Sequence, residues 1–456
     1  MLAGVLRLYQ LGSPDRLVFD EVYYAQDACL YLGWDEATCG VGTEASWMHP
    51  PLGKWLIALG IGLLGYDPVG WRVSAAIAGI VTVGLLYLLA RRLTGSGLAA
   101  VLAAGVLALD PLSVVSSRVA MLDMFTTCAV VATVLFAVLD RDALAASGRE
   151  PGREPGRLRR PWRVAAGLAG GVAIATKWSG VLALLAVVVL VLLWEAEAAR
   201  RDGRRPVSGL LAAVPSVLLW LVATPGAVYV ASYAGRLDAD LLAVPWHEGA
   251  WVREFLYRQL EMARFHAGLE DTHPYASPAW SWLLGKRAVV YFFEVDAAGR
   301  YREVLALANP LLWVPGLLAA AWGALIALRR RVGWGPEVVV AMAVAATYLP
   351  WLVLSANRPF VFLYYVLPTV PFLALALGWA VTRAPRGGGR ALAATIGAVA
   401  IAVVLFWEPL IHARPLDYDS WRDRIPFQDC TPAELTDGRL APRPDGGPPP
   451  PGWCWV

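Results

Sequence analysis

Apolar residues run along this chain in unbroken blocks, and a block of about 20 residues, coiled as a helix, matches the hydrocarbon thickness of a bilayer. Such blocks cover Trp71–Ala90, Leu98–Val115, Val119–Leu139, Val207–Val230, Leu307–Leu328, Glu337–Leu354, Phe362–Val381 and Leu392–Ile411, and each predicts a membrane-spanning helix. The stretch Val164–Trp194 is too long for one span; the polar Thr176-Lys177-Trp178-Ser179-Gly180 divides it into two short helices with a turn between them. Leu52–Leu64 is too short to cross comfortably and predicts a helix along the membrane surface. Met1–Leu11 would rise only about 16 Å. It reads as a first span without its N-terminal half, or as a chain whose natural start lies upstream. A secretory signal peptide competes with that reading, but no small-residue cleavage site follows.

Composition agrees with the blocks. The chain is 58% hydrophobic and 16% charged, against about a quarter charged in soluble domains. Its 21 tryptophans suit the membrane–water interface. A net charge of +3 gives no reason to expect nucleic acid as a partner. Lysine occurs only at Lys54, Lys177 and Lys286, and the richness in Arg and Ala fits a GC-rich bacterial genome.

The placement of arginine sets the orientation. The connections rich in it are Arg91-Arg92, Arg141 to Arg163, Arg200 to Arg205, Arg329-Arg330-Arg331 and Arg383 to Arg390. Cytoplasmic loops carry such an excess because positive charge resists translocation. Placing all five in the cytoplasm gives an alternating topology of about 10–11 spans. It leaves two long segments, 20–70 and 232–303, and the tail outside. Long connections in compact proteins are usually functional. The expected organisation is therefore a catalytic membrane unit over 1–412 and an extracytoplasmic tail over 413–456, its Pro/Gly-rich part from Thr431 extended. An exterior compartment permits disulfides; the pairs expected are Cys29–Cys39 and Cys430–Cys454, with Cys128 a packing residue inside a span.

The candidate chemistry gathers at the outer rim. In Val18-Phe19-Asp20-Glu21-Val22-Tyr23-Tyr24, two adjacent carboxylates sit among aromatics at the membrane edge. Desolvation and like charge raise a carboxylate's pKa and make it a better base; an interfacial charged turn is the plain alternative. In His49-Pro50-Pro51-Leu52-Gly53-Lys54-Trp55, the prolines lead into a helix whose N-terminus, with Lys54 near, suits an anion. A Trp/Lys interfacial anchor is the alternative there. Arg72 opens one span, Arg118 and Asp123 open another, and Lys177 lies in a turn. Ionisable groups at such depths are functional or paired, and Arg118 with Asp123 could simply pair. Asp20, Glu21, His49, Lys54, Arg72, Arg118 and Lys177 all fall on the outer face. An acidic pair facing several cations suits a carboxylate-activated nucleophile and a lipid phosphate leaving group.

With these segments in view, the chain resembles the actinobacterial protein O-mannosyltransferases of the dolichyl-phosphate-mannose–protein mannosyltransferase family. The resemblance rests on Phe19 to Tyr24, His49 to Lys54, Gly70-Trp71-Arg72, Arg118 to Asp123, Ala175 to Gly180, Phe265 to Gly268, Thr272 to Tyr275, Asn309-Pro310 and Tyr364 to Pro368, in that order. It implies a GT-C fold, an all-α polytopic membrane enzyme whose outer loops form the active site. It also implies inverting transfer of mannose from polyprenyl phosphate mannose to Ser or Thr of exported polypeptides, with the secretion translocon as a neighbour. Asp20 matches the family's base, with Glu21 beside it; Arg7 and Arg72 match arginines important for activity. His49, Lys54, Arg118, Asp123 and Lys177 are expected to support the donor phosphate or the site. His266, His273, Tyr275 and Trp280 are candidates for acceptor contact, and no metal-ligand spacing occurs among them. No cofactor is required, although the reading admits a divalent cation. The alternatives are a GT-C transferase for a lipid or cell-wall glycan, and a lipid-linked sugar transporter. A transporter should show repeats and mid-membrane charges, and neither is evident.

Overall fold

The computed structural model describes residues 1–40, 47–147, 158–234, 248–269, 273, 275–330, 335–358, 360–385 and 387–425. Cys430 and Cys454 lie outside them.

The chain opens with α1 (Leu2–Leu8), then α2 (Glu21–Tyr31), α3 (Glu36–Cys39) and the surface helix α4 (Leu52–Leu64). The expected Cys29–Cys39 disulfide joins α2 to α3. Next comes α5 (Pro68–Thr94), whose start is written in the sequence. Asp67 accepts hydrogen bonds from the amides of Val69 and Gly70, Pro68 takes the first helical position, and Gly95 at φ +67° ends the helix.

The apolar block 98–115 is not one helix. It divides into α6 (Gly97–Leu109) and α7 (Pro111–Ser116) at Asp110. Pro111 has no N–H to continue α6, and the Asp110 carboxylate caps the next turn through the Ser113 amide at 3.0 Å. After α8 (Leu122–Ser147), the expected division at Thr176–Gly180 is present, between α9 (Pro161–Thr176) and α10 (Gly180–Arg201). A Cβ on Gly180 would come within 2.8 Å of the Ala173 carbonyl oxygen, so only glycine lets the two helices meet this tightly. At 22 residues, α10 is long enough to cross. Then α11 (Pro206–Val217) and α12 (Thr224–Ser232) continue one span through a π-helical segment over Leu218–Ala223, with prolines at 215 and 225 disturbing the hydrogen-bond ladder.

The second long connection holds the amphipathic α13 (Trp251–Ala267) and a feature absent from the all-helical expectation: an antiparallel hairpin of β1 (Val289–Val295) and β2 (Tyr301–Ala306). Its signal is the β-branched and aromatic run Val289-Val290-Tyr291-Phe292-Phe293 before an Asp-Ala-Ala-Gly turn. A bulge between Val290 and Phe292 re-aims Tyr291. A two-stranded hairpin is marginal alone. Here Trp421, on α18 (Tyr418–Arg422), packs beneath it, and Leu416 pairs with Tyr301.

The remaining helices are α14 (Pro310–Arg330), α15 (Pro336–Asn357), α16 (Val370–Val381) and α17 (Gly388–Ile411). Among the described residues eight helical stretches are long and apolar enough to cross a membrane, and α4 and α6 are shorter apolar helices. The chain is a multi-pass membrane protein. Within the span Leu363–Val381 the best apolar window is 83% buried, whereas Gly388–Ile411 and Pro206–Ser232 are each 28% buried. Thus α16 is wrapped by protein, and α11, α12 and α17 turn most of their surface to lipid. Helices α5, α8, α10 and α14 all end in the arginine-rich connections. Their starts therefore share the opposite face, where the candidate residues lie.

Candidate active site

The acidic pair divides by role. Glu21 is fully buried and its two oxygens accept four hydrogen bonds, from the amides of Val18 and Ala120 and from Nε and Nη2 of Arg72, all between 2.8 and 3.0 Å. Arg72 in turn spends all five N–H donors: two on Glu21, two from Nη1 on the carbonyls of Leu11 and Pro14, one on that of Arg16. Arg7 is equally committed, donating to Ser113, Ser117 and the carbonyls of Ala3, Leu107 and Ala108. A Cβ on Gly79 would stand 2.8 Å from Arg7 Nε, so this glycine makes the room for the guanidinium. Arg118 donates to the carbonyls of Leu6, Arg7, Tyr9 and Gln10, satisfying the orphan acceptors where α1 ends. These four charged residues hold the chain from α1 to Asp20 against α5 and α7, and among them only Arg118 keeps donors outside those bonds.

Asp20 is the other half. It is partly exposed, and among the described residues its carboxylate has no ion-pair partner and accepts one hydrogen bond, from the Tyr24 hydroxyl at a long 3.5 Å. Phe19 before it has φ +47°, unfavourable for an aromatic residue by about 1–2 kcal/mol. Phe19 is held there by stacking on the bulged Tyr291 at 4.9 Å and by the edge of Tyr364 at 5.8 Å. Burial pushes the Asp20 carboxyl up to about 7; Lys177 draws it down, Asp123 raises it further, and the Tyr24 hydroxyl lowers it slightly.

Asp123 does not take the alternative of pairing with Arg118; it pairs with Lys177. Lys177 Nζ sits 2.9 and 3.1 Å from the two oxygens of Asp123. The reason is the break between α9 and α10: Lys177 is the extended residue that ends α9, so its side chain reaches the first turn of α8. Its ammonium also lies 4.4 Å from the Tyr365 ring centroid and 5.6 Å from that of Tyr364. Lys54 is taken up elsewhere, 2.6 Å from Asp27 in a fully buried pair between α4 and α2.

The histidines of separate segments meet. The rings of His49 and His266 are 5.4 Å apart, with Tyr24 6.1 Å from His49 and Trp178 6.0 Å from His266. Burial, then Lys177 and His266, press the His49 imidazole well below its usual pKa; burial also lowers His266. Both are neutral at pH 7. His266 Nε2 lies 2.9 Å from the Met48 carbonyl, which can only accept, so that nitrogen carries the proton. Nδ1 is then the acceptor for Arg358 Nη2 at 3.4 Å. Arg358 has no carboxylate partner among the described residues, and its buried Nε has no hydrogen bond. Sequence reasoning passed over Arg358. Its signal was an arginine at the end of α15 away from the arginine-rich face.

His273, Tyr275 and Trp280 are not brought to Asp20. A line of rings runs from Lys177 through Tyr364 and Phe362 to His273, with Phe362 5.6 Å from Tyr364 and 5.3 Å from His273. Tyr275 stands beside His273, its amide donating to Nδ1 at 3.1 Å. Trp280 is exposed, with Lys286 Nζ 4.8 Å over its ring. Among the described residues no group of three His, Cys, Asp or Glu could hold a metal ion.

The helical membrane scaffold is that of the GT-C class of glycosyltransferases. Its architecture matches the S. cerevisiae protein O-mannosyltransferase Pmt1–Pmt2 complex bound to the sugar donor, with a TM-score of 0.73 at 16% identity, covering 92% of this chain and 90% of that one. It also matches ArnT from Cupriavidus metallidurans bound to undecaprenyl phosphate, with a TM-score of 0.54 at 21% identity over 88% of this chain and 61% of that one. Within the class the sequence is decisive. Residues 68–235 match the family described as dolichyl-phosphate-mannose-protein mannosyltransferase, and residues 251–428 the C-terminal four TMM region of protein-O-mannosyltransferase. The polyprenol-phosphate-mannose–protein mannosyltransferase of Mycolicibacterium smegmatis is 32% identical, over 82% of this chain and 79% of that protein. The enzyme of the same name from Mycobacterium tuberculosis is 31% identical over 93% and 89%. The chain belongs to the dolichyl-phosphate-mannose–protein mannosyltransferase family and is a glycosyltransferase.

Proposed function

We propose that this enzyme transfers mannose from polyprenyl phosphate mannose to Ser or Thr hydroxyls of exported polypeptides, at the extracytoplasmic face of a bacterial cell membrane, with Asp20 as general base. The observation that carries the assignment is the division of the acidic pair. Glu21 has its lone pairs occupied, whereas Asp20 beside it is partly exposed, weakly bonded and close to neutral pH in its titration. A base with pKa near the working pH is best placed to take a hydroxyl proton.

In the reaction the acceptor O–H gives its proton to Asp20 as the oxygen attacks the anomeric carbon. The bond from that carbon to the phosphate oxygen breaks, and the lipid phosphate leaves as an anion. Lys177 and Arg358 face the growing phosphate charge, and charged donors in a dry site stabilise it without reorganisation. Asp123 holds the Lys177 ammonium in place, and His266 holds Arg358. A single displacement inverts the anomeric configuration, and the leaving phosphate needs no general acid. Glu21, Arg7, Arg72 and Arg118 fix the Asp20 loop; Lys54 fixes α4 beneath His49. The aromatic line towards His273 and Tyr275 suits the acceptor chain. The catalytic unit is 1–412 with its connections 20–70 and 232–303, and 413–456 is the tail. Proximity to the secretion translocon would present acceptors while still extended.

The test is transfer of radiolabelled mannose from polyprenyl phosphate mannose to a Ser/Thr-rich peptide by membranes carrying wild-type protein or Asp20→Asn. Transfer by wild type with a loss of about 100-fold or more in the variant supports the reading. Normal transfer by the variant refutes the base. Absence of transfer by folded wild type points to a lipid or glycan acceptor instead.

A further inference from the structure

Helix α13 presents three distinct sides. Counting roughly 100° per residue, Trp251, Phe255, Gln259, Met262 and His266 fall within one sector about 80° wide. That sector faces protein: Met262 and Trp251 are buried, Trp251 stacks on Phe255 at 5.2 Å, and the Gln259 amide oxygen accepts from the Tyr229 hydroxyl. Phe255 also meets the rings of Tyr229 and Tyr233, at the end of the span formed by α11 and α12. The helix is therefore held at the level where that span leaves the bilayer.

The adjoining sector carries Val252, Leu256, Leu260, Ala263 and Ala267. It is apolar along its length, and nothing among the described residues covers it: Val252 is 59% exposed, Leu256 59% and Leu260 48%. The remaining side carries the charges, Arg253, the pair Arg258–Glu254 and the pair Arg264–Glu261, together with the exposed Tyr257 and with Phe265, which packs on Trp47. One side on protein, one apolar and one charged is the pattern of a helix lying in a membrane interface. The apolar sector is also continuous with lipid-facing surface, because Val222 and Val230 on the span that α13 packs against are 54% and 41% exposed.

We propose that α13 lies in the bilayer leaflet on the site face, with Val252, Leu256 and Leu260 among the acyl chains and its charged side in water. The partner is the lipid surface itself. The inward sector ends at His266, which bonds Met48 and Arg358, so the leaflet would serve as the platform on which those groups are held. The proposal does not depend on which donor or acceptor the enzyme uses.

The full-length protein, with benzoylphenylalanine replacing Leu256, Arg253 or Leu325, is placed in nanodiscs of phospholipid with tritiated acyl chains, irradiated and counted. Leu325, on α14, is 50% exposed and serves as the span reference. Equal thermal midpoints keep the three proteins comparable. Labelling at position 256 several-fold above position 253, and close to that at 325, is the expected result. Labelling at 256 no higher than at 253 overturns the proposal, because the apolar sector would then face water or another protein.

Discussion

Lys177→Met removes the cation that opposes burial at Asp20, and the consequence is a displaced pH profile. With the Asp20 carboxyl at about 7, it is ionised in about 9% of molecules at pH 6 and about 91% at pH 8. If ionised Asp20 is the base, single-turnover transfer rises about tenfold across that interval and levels off above it. In Lys177→Met, burial and the Asp123 charge remain, and Asp123 has lost its own partner. Both effects disfavour the Asp20 carboxylate, so the rising limb moves alkaline, by about one pH unit for each 1.4 kcal/mol of attraction removed. The plateau also falls if Lys177 faces the phosphate. The assay is single-turnover transfer of labelled mannose from roughly pH 5.5 to 9, where chemistry rather than release is observed. A limb that stays near pH 7 in Lys177→Met, or a wild-type rate that is flat from pH 6 to 8, would refute the link between Asp20 and Lys177.

Three further outcomes are expected. Arg358→Gln should lower kcat/KM for the lipid donor about 10- to 100-fold while leaving the thermal midpoint nearly unchanged; a change under about twofold removes Arg358 from the site. Glu21→Gln should cost about 3–5 kcal/mol of stability, because it leaves Arg72 buried and charged without its counter-ion, and a loss below about 1 kcal/mol in detergent unfolding contradicts the structural role. Burial holds the Glu303 carboxyl at about 8 against a usual 4.5, the Trp421 indole N–H pulling the other way. The folded state thus keeps a proton that the unfolded chain has lost, and this contribution to stability, complete below pH 4.5, is lost as pH rises to about 8. Glu303→Gln should flatten the melting temperature across that window; an unchanged slope would show that Glu303 does not titrate there.

Most of the membrane architecture is legible in the chain. A span must satisfy its backbone internally and present about 20 apolar residues to lipid, so apolar blocks and arginine-rich connections carry the signal. The exceptions have local causes. Pro111 after Asp110 divides one block, and the hairpin at 289–306 lies where a strand-like aromatic run was available to read. The candidate rim residues were also visible as charges that a bilayer would not tolerate without purpose. Tertiary structure alone decided which of those charges are free. Glu21 and Asp20 are adjacent in the chain and alike in chemistry, yet Arg72, 51 residues after Glu21, occupies one and leaves the other. Asp123 paired with Lys177, 54 residues further on, rather than with the nearer Arg118, and His266 met His49 and Arg358 from distant segments. Hydropathy is a property of each segment by itself, so sequence determines it. Whether a buried charge is spent or available depends on which partner the fold brings within about 3 Å of it, and that distance exists only after packing.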